Sequence, residues 1–546
     1  MSKDPQFIRL QERYETLKRI RSSYEDMLNA AQQYVTPNRT AFDRMGTVEG
    51  ARQDDGSKRL FDHTAVWANQ MFANGMASYL MPKSDRWAYL KPVDTPSAEL
   101  KDDELIYLEL LSNRIFHLFS IPQSQFYMSG HESFHSLGSF GNAVVYVDQS
   151  SKRIQYKSCP LADSFFDTGH DGSVDTVFYR KWLSTKALIQ KFPDVVNIDG
   201  FDPEATSTTH ELVYAVEPSV DIRAQRNGRV GNSRPYQAFY FLPRFERVVQ
   251  SGGMHYFPFM VPRWMVVAGE TLGRGPAFTC LSQIQVLNKM VKEVLKSAEL
   301  ANRPPLSAEE DSLLLPIAYG PGRILYRTPG TQAPEPLLSG SQPQITLEMI
   351  RDYREQITRA FFVDQIIRDQ KKERQSVLEI QDERGQMLQQ LGPLLARIET
   401  EYLSPSIEHA IRYLKETRDP LFDQVPQSLD GREMQIVYTS PAAHAQYASG
   451  LSNISGFIQD LAPLLQAKPE ILDNIDEQEF LDTAARMRNI TRKVLVDKKS
   501  VAKQREARAQ QEEMQMAAAN APQMAGALKD VASARATDPQ GIGQLM

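Results

Sequence analysis

The chain has 546 residues, of which 41% are hydrophobic and 24% are charged, and its formal net charge is −6. This length exceeds what one hydrophobic core usually organises, so we expect several domains or an elongated subunit, and the composition excludes a fibrous or wholly disordered protein. The acidic balance excludes a general attraction to nucleic acid, so any contact with DNA must come from local basic patches.

The first third of the chain is predicted to be mainly helical. An apolar stripe with steps of mostly three or four residues predicts one surface helix that Pro37 ends. A second helix is expected to have Asp62 as its N-cap and to end before Pro82, and a third spans about residues 99–119. The stripe of the first helix consists of Leu10, Tyr14, Leu17, Tyr24, Leu28 and Ala31.

Strand patterns follow these helices. Residues 143–147 and 153–157 alternate around a Gln-Ser-Ser turn and predict a hairpin. Residues 174–181 and 211–216 also have the pattern of strands. We therefore expect an α+β region from the start of the chain to about residue 279.

Two long amphipathic helices flank a module rich in proline and glycine. The first follows Gly275-Pro276 and spans about residues 280–302, and the second spans about residues 346–368. Residues 303–345 between them cannot be helical and are expected to hold short strands such as Arg323–Arg327. Such a helix pair can stand antiparallel and present the module at its tip.

Another helical region begins after a short polar break. Residues 369–376 form the break, and a helical pattern follows from Val377 to about Thr417. Kinks are expected at Pro393 and Pro405, because proline removes a helical hydrogen bond. The length of this region suggests an element that spans the subunit.

The last third of the chain begins with a strand. Residues 433–438 have a strand pattern, and residues 442 to about 499 have a helical one. Between Arg486 and Arg508, nine Lys or Arg residues stand against two acidic ones, so this segment is the best candidate for contact with nucleic acid. From Ala509 onward there are ten alanines and no aromatic residue, which predicts a disordered tail.

Nothing in the sequence predicts export or insertion into a membrane. The N-terminus has no apolar core like that of a signal peptide. The longest apolar run, Tyr256–Ala268, is shorter than the roughly 18 to 20 residues that span a bilayer, and Arg263 interrupts it. Cys159 and Cys280 lie far apart and fit a reducing cytoplasm better than a disulfide framework.

One motif with catalytic chemistry is present. His131-Glu132-Ser133-Phe134-His135 matches H-E-x-x-H, in which two histidines one helical turn apart bind zinc and the glutamate activates water. A third ligand is missing, because position 141 is Gly141 and the next glutamate along the chain is Glu204. We interpret the motif as a turn of a structural helix and keep a zinc-dependent hydrolase as the alternative.

Other motifs for catalysis or cofactor binding are not found. The sequence has no Gly-Lys dipeptide, which excludes the G-x-x-x-x-G-K phosphate loop of ATPases. Gly273-Arg274-Gly275-Pro276 suits a tight turn into a helix, because proline is favoured in the first helical turn. We predict a structural role for this turn and expect neither a cofactor nor a metal site.

Several landmarks follow one another along the chain. They are Trp87-Ala88-Tyr89-Leu90, Leu137-Gly138, Trp264, Gly273-Arg274-Gly275-Pro276, Leu391-Gly392-Pro393 and Ser440-Pro441-Ala442. In this order they resemble the portal, or head-to-tail connector, proteins of short-tailed bacteriophages of the podovirus type. The resemblance covers about residues 7–500. It departs at residues 375–379, where many relatives have a Thr-Ala-Thr-Glu-Val type of string, which leaves the details of that loop open.

The resemblance implies an α+β, mainly helical portal fold that assembles as a dodecameric ring around a DNA channel. The family's parts then correspond to consecutive segments of this chain. They are the first part of the wing at 1–279, a stem helix at 280–302, the clip at 303–345, a second stem helix at 346–368, a channel loop at 369–376, the wing's long helix and strand at 377–441, the crown at 442–508 and a disordered tail at 509–546.

The resemblance also implies partners and a location. The ring would admit double-stranded DNA without sequence specificity during packaging, release it during ejection, and contact capsid and scaffold proteins. It would dock the terminase packaging ATPase and then the tail adaptor protein. The chain would be made in the bacterial host cytoplasm, reside at one capsid vertex of the virion, touch no membrane and catalyse no reaction. A helical scaffold or internal virion protein is a further alternative, and it predicts no closed ring.

Three groups of residues are candidates for these contacts. The channel loop carries basic residues that we expect to face DNA, and so does the crown, whereas the clip residues are expected to meet the ATPase and the adaptor. The channel candidates are Lys371, Lys372 and Arg374. The crown candidates are Arg486, Arg488, Arg492, Lys493, Lys498 and Lys499. The clip candidates are Arg323, Tyr326 and Arg327.

Overall fold

The chain divides into two units, Met1–Phe457 and Ile458–Met546. The computed structural model describes residues 4–38, 59–93, 100–150, 153–205, 208–219, 234–302, 306–307, 335–336, 343–363, 392–429, 431–439 and 510–511. Of these, only residues 510–511, which are helical, belong to the second unit. The first unit combines helices with antiparallel strands, so the predicted α+β class is confirmed.

The elements are numbered in chain order. The helices are α1 (Pro5–Ser22), α2 (Glu25–Val35), α3 (Thr64–Leu80), α4 (Asp102–Ser120), α5 (Phe126–Phe140), α6 (Thr185–Lys191), α7 (Pro276–Thr279), α8 (Leu281–Asn302), α9 (Pro343–Ala360) and α10 (Ser404–Glu416). The strands are β1 (Ala88–Pro92), β2 (Val144–Ser150), β3 (Arg153–Cys159), β4 (Ser164–Thr168), β5 (Val174–Ser184), β6 (Thr209–Pro218), β7 (Tyr236–Leu242), β8 (Arg247–Met254), β9 (Phe259–Met260), β10 (Leu306–Ser307), β11 (Glu335–Pro336) and β12 (Met434–Tyr438). Within the described ranges, no helix is long and apolar enough to cross a membrane.

The largest described sheet has the strand order β4-β5-β6-β7-β8, and each neighbouring pair is antiparallel. Successive side chains of a strand point to opposite faces, so alternate residues build two separate apolar clusters. Phe178 and Phe239 belong to one cluster, whereas Val177 and Tyr214 belong to the other. Both faces of this sheet are therefore covered.

The segment predicted as one N-terminal helix is in fact two helices. The prediction is wrong because the chain turns between α1 and α2, where the N–H of Tyr24 donates to the carbonyl of Arg21 at 2.9 Å. Tyr14 of α1 packs into the cluster on one face of the sheet, and Leu28 of α2 packs into the cluster on the other. One straight helix could not reach both faces, so the turn allows a single apolar stripe to serve two clusters.

The predicted strands are confirmed. β2 and β3 form the predicted hairpin, but β2 continues through Gln149 and Ser150, which the prediction placed in the turn. β9 pairs with the other edge of β2. β5 contains the predicted residues 174–181 and extends beyond them at its C-terminal end. β6 contains the predicted residues 211–216 and extends beyond them at both ends. The hairpin and the two central strands therefore follow from local alternation alone.

A second core forms around Trp87, which is fully buried. Its ring stacks on those of Phe119, Phe126 and Tyr438, with centroids 6.0, 6.2 and 6.4 Å away. Tyr438 ends β12, and β12 pairs antiparallel with β1. The predicted strand near residues 433–438 is thus present, and it fixes the later part of the described chain against the earlier part.

The long helix predicted from Val377 to about Thr417 is described from residue 392 onward. Residues Glu399–Leu403 form a π-helical turn directly before α10, and the N–H of Ser404 donates to the carbonyl of Glu399. Pro405 lacks an N–H, and its ring would collide with the carbonyl four residues earlier, so a widened turn relieves this conflict. The distortion expected at Pro405 is present, whereas the kink at Pro393 stays a prediction.

α10 packs against the β2–β3 hairpin. The hydroxyl of Tyr156 donates to the carbonyl of Ser406 at 3.1 Å, and Nε2 of Gln149 donates to Nδ1 of His409 at 3.0 Å. His409 is 5% exposed, and burial, together with the nearby Arg412, lowers the pKa of its imidazole to about 4. The neutral ring is the form that can accept this hydrogen bond.

Acidification should destabilise the protein through His409. The folded chain keeps this ring neutral down to about pH 4, whereas the unfolded chain takes up a proton near its ordinary pKa of 6.5. The stability is therefore complete above pH 6.5 and is lost as the pH falls toward 4. Between about pH 7 and pH 5, urea unfolding should show a loss about 2 kcal/mol larger in the native protein than in His409→Gln. The same pH dependence in both proteins would contradict this assignment.

Candidate functional site

All the contact residues predicted from the sequence lie outside the described residues. They are Lys371, Lys372 and Arg374 of the channel loop, Arg323, Tyr326 and Arg327 of the clip, and Arg486, Arg488, Arg492, Lys493, Lys498 and Lys499 of the crown. These assignments stay predictions. The described residues do include α8 and α9, the long helices that flank residues 303–345, the predicted clip, and the contacts that hold these helices.

α8 and α9 pack against each other as a pair. Ile284 of α8 and Ile350 and Ile357 of α9 are buried in the same apolar cluster. Shortly after α8 ends and shortly before α9 begins, β10 and β11 pair antiparallel. Because this pairing joins the end of one helix to the start of the other, it supports the predicted antiparallel pair.

α9 begins and ends earlier than predicted, at Pro343–Ala360 instead of about residues 346–368. Phe362 has a φ of 58°, which lies in the left-handed region and is incompatible with a continuing α-helix. Its ring lies 6.1 Å from that of Trp264, and Phe361 is fully buried. The helix therefore ends where two phenylalanines turn into the core.

Most of the surface of the helix pair is exposed. Leu295 of α8 and Leu347 and Met349 of α9 have exposed fractions of 54%, 55% and 45%. Around them lie charges of both signs, three basic and two acidic on α8 and three of each on α9. Apolar residues among mixed charges are typical of a contact with another polypeptide and do not form a continuous basic track for phosphates.

Asp62 joins the helix pair to α3. Its Oδ2 accepts from Nε and Nη2 of Arg354 in α9, at 3.0 and 2.8 Å, and its Oδ1 accepts from the N–H of Thr64 at 2.9 Å. Oδ1 of Asn288 in α8 accepts from the N–H groups of Phe61 and Asp62, at 2.7 and 3.2 Å. One short segment thus holds both long helices and the first turn of α3.

Asp62 is buried and charged at this joint. It is 8% exposed. The N-cap of α3 is His63 and not Asp62 as predicted, but Asp62 still accepts from the first N–H of the helix, that of Thr64. Burial alone would raise the pKa of its carboxyl group, but the hydrogen bonds from Thr64 and Arg354 outweigh burial and lower it. The carboxylate therefore remains ionised at neutral pH and binds the guanidinium of Arg354.

Asp62→Ala should lower the free energy of unfolding by about 2 kcal/mol, because it removes a helix cap and a buried acceptor of charged hydrogen bonds. Urea unfolding measures the loss. The matched control is Glu355→Ala on α9, where Glu355 pairs with Arg359 and both side chains are more than half exposed. The control should cost less than about 0.5 kcal/mol. Equal losses in the two variants would show that Asp62 is not a joint.

The turn before α7 is packed against the end of α5. Nδ2 of Asn142 donates to the carbonyl of Gly273 at 2.9 Å, and Oδ1 of Asn142 accepts from the N–H of Gly273 at 2.7 Å. Pro276 occupies the first turn of α7, which confirms the predicted structural role. Gly275 has an ordinary φ of −87°, but a side chain there would collide with the carbonyl of Leu137. The need for glycine therefore comes from the close approach of two backbones.

A buried ion pair lies beside this turn. Nη2 of Arg263 is 2.6 Å from Oε1 of Glu401, and the backbone N–H of Arg263 donates to Oε2 of Glu401 at 2.8 Å. The same guanidinium donates to the carbonyl of Gly172 at 2.8 Å. The side chains of Arg263 and Glu401 are 3% and 17% exposed. This pair ties the π-helical turn to the segment that leads into α7.

The sequence reasoning missed both polar joints. For Arg263 a signal was present, because a lone arginine inside an apolar run requires a buried partner if the run is buried. The partner lies 138 residues further along, and the chain contains many glutamates, so the pattern could not select Glu401. The sequence pattern identifies Asp62 only as a helix cap, and nothing local indicates Arg354 as its partner.

The H-E-x-x-H motif lies within α5 and faces α3. Nε2 of His131 is 2.8 Å from Oδ1 of Asn74, and the ring of His135 is 3.3 Å from Nδ2 of Asn69. Both asparagines belong to α3, so the two histidines help to pack the helices together. In the part of the chain that is described, no three His, Cys, Asp or Glu residues come together to hold a metal ion. The zinc alternative thus gains no support from the geometry.

The chain is similar to a portal protein and a probable portal protein of two phages. The portal protein of Salmonella phage epsilon15 is 25% identical, over 98% of this chain and 97% of that protein. The probable portal protein of Bordetella phage BPP-1 is 24% identical, over 93% and 92%. A solved structure titled "Neck of empty GTA particle computed with C6 symmetry" is 12% identical over 77% of this chain and 92% of that one, with a TM-score of 0.35. The family model described as "Bacteriophage head to tail connecting protein" matches residues 8–495, and the chain belongs to this family.

Proposed function

We propose that this chain is the portal protein of a phage. Copies of it form a ring at one capsid vertex, and double-stranded DNA passes through the ring during packaging and ejection. The observation that carries the proposal is the family match over residues 8–495, supported by two portal proteins that align over more than nine-tenths of the chain. The chain acts as a structural channel and not as an enzyme.

In this proposal α8 and α9 are the stem helices and line the channel. Their mixed charges suit that role, because each additional contact between a cation and a phosphate strengthens binding and would slow the passage of DNA. The exposed apolar residues Leu295, Leu347 and Met349 then face neighbouring copies. A dodecameric ring would cover this surface, which a single chain leaves open.

The wing would consist of residues 1–279 and 377–441. Three contacts support this grouping: the pairing of β1 with β12, the ion pair between Arg263 and Glu401, and the packing of α10 on the β2–β3 hairpin. Together they bind the described residues 392–439 to the first part of the chain.

The remaining segments would contact DNA or partner proteins. The clip, residues 303–345, would meet the terminase ATPase and later the tail adaptor, and the crown, residues 442–508, would face packaged DNA. The channel loop, residues 369–376, would contact the moving DNA, and the tail follows from residue 509. The ring would be built in the host cytoplasm with capsid and scaffold proteins and would remain in the virion.

Electron microscopy of the purified full chain tests the proposal. End-on views should show closed rings with an open channel, and counting the subunits tests the dodecamer. A chain that remains monomeric at high concentration would overturn the portal assignment. Bound zinc at one ion per chain would instead favour the hydrolase.

Removing the three cations of the channel loop should change DNA handling and leave assembly intact. In the triple variant of Lys371, Lys372 and Arg374 to alanine, rings should form normally. The fraction of DNA-filled particles should fall at least about twofold, because the loop no longer holds the phosphates of packaged DNA and the DNA is retained less well. The matched control removes three exposed cations of the described chain by Arg19→Ala, Lys83→Ala and Lys186→Ala. If both triple variants package equally well, the loop does not contact DNA.

A further inference from the structure

β8 is an edge strand whose outer side has no backbone partner among the described residues. It stands last in the order β4-β5-β6-β7-β8 and pairs with β7. No backbone hydrogen bond from another described segment reaches its far side. One side chain does reach it, since Nη1 of Arg234 donates to the carbonyl of Gly253 at 2.6 Å.

The opposite edge of the same sheet is protected. β4 has only five residues and includes Asp167, whose carboxylate lies 2.7 Å from Nη2 of Arg13 in α1. Short length and a charge are two common ways in which proteins prevent an edge from pairing with another chain. The two edges of this sheet therefore differ in how well they are protected from pairing with another chain.

In the second half of β8, Arg234 from the segment before β7 covers Gly253, and the remaining residues lack such protection. After Arg247 the strand carries no charge, since residues 248–254 read Val-Val-Gln-Ser-Gly-Gly-Met. The pairing with β7 is irregular near Tyr240–Phe241 and regular from Gln250 to Met254. A Cβ added at Gly252 would meet nothing within 4 Å. A side chain at Gly252 would therefore project from the face of the sheet into open space and would not itself block the edge.

We propose that the edge of β8 from Gln250 to Met254 is extended by a strand from a second copy of this chain. The inference rests on the proposed ring. In a ring each interface is heterologous, so this edge meets a different surface of the next copy and not its own equivalent. Backbone hydrogen bonds supply the contact, which suits a strand with almost no side chains at its centre. The interface adds to the one expected between stem helices.

Hydrogen exchange on the full chain tests the added strand. Rings and monomers are separated by size, and the amides of Gln250–Met254 are compared between them. Alternate amides that face β7 should be protected in both, whereas the outward amides should exchange at least about tenfold more slowly in rings. Unchanged exchange in intact rings would overturn the proposal of an added strand and would not affect the portal assignment. Protection that appears only in whole particles would show that another protein covers the edge, which also overturns it.

A substitution at the same place gives an independent readout. Gly252→Lys adds a charge to every copy of the edge, and Gly252→Ala is the matched control in the same open space. The lysine variant should need at least about tenfold more protein than the alanine variant to form half of its rings, because charged edge residues oppose pairing. Thermal unfolding of the monomers should be alike. Equal assembly of the two variants would overturn the inference, and absence of rings in the native chain would overturn the portal assignment itself.

Discussion

Gly275→Ala should destabilise the protein by about 3 kcal/mol or more, a large effect for the addition of one methyl group. The added Cβ would collide with the carbonyl oxygen of Leu137 and lie 2.6 Å from the amide nitrogen of Gly141. Both are backbone atoms, so no side chain can rotate away, and the end of α5 must move relative to the turn before α7. The φ of Gly275 is −87°, so alanine would otherwise be tolerated there.

Gly252→Ala is the control for this prediction. It adds the same methyl group at a glycine with nothing within 4 Å, and it should leave the stability unchanged or raise it slightly. Urea unfolding of both variants measures the difference. If Gly275→Ala unfolds at the same urea concentration as the native chain, the two backbones have more room than the structure shows.

Local periodicity predicted about half of the elements but not where they pack. Alternation gave the β2–β3 hairpin, β5 and β6, and three- and four-residue spacing gave α3, α4 and α8. The same spacing continues through Ser23–Tyr24 without interruption, so it could not reveal the turn between α1 and α2. That turn depends on the positions of the two faces of the sheet, and those are set by strands more than a hundred residues away.

The candidate site was predicted less completely than the fold. The order of short landmarks identified the family, although none of these landmarks performs chemistry. Several of them are structural: Trp87 lies at the centre of an aromatic core, and Gly275 lies at a contact between backbones. The chemically suggestive H-E-x-x-H motif instead packs one helix against another. Pattern order was therefore a better guide to function here than the resemblance of one motif to a catalytic site.

Polar joints escaped the sequence because their partners are distant. Asp62 and Arg354 are separated by 292 residues, and each has many possible partners of opposite charge. Apolar residues can be assigned to a core by spacing alone, since the hydrophobic effect has no direction. A buried charge requires one particular partner in one geometry, so its position becomes evident only after the chain is folded.

Glu401→Gln should cost about 3–5 kcal/mol, because it leaves the guanidinium of Arg263 charged and buried without its carboxylate. The carbonyl of Gly172 would remain as an acceptor but would not compensate the charge. The control is Glu270→Gln, which disrupts the pair between Glu270 and Arg274 near the same turn. Arg274 is 41% exposed in that pair, so the loss should stay below about 1 kcal/mol. Urea unfolding of the two variants separates a buried pair from an exposed one.

Removing both charges tests the cause of this cost. If Glu401→Gln is harmful because it leaves a buried charge unpaired, adding Arg263→Met should recover at least about 1–2 kcal/mol, although it deletes further hydrogen bonds. If the cost comes instead from lost packing of the π-helical turn, the double variant should be less stable than either single variant. Arg397 lies 3.5 Å from Glu401 and is 38% exposed, so it can partly neutralise the carboxylate when Arg263 alone is replaced. Arg263→Met should therefore destabilise the protein less than Glu401→Gln. The reverse order would mean that the carboxylate of Glu401, and not the guanidinium of Arg263, is the buried charge that is most costly to leave unpaired.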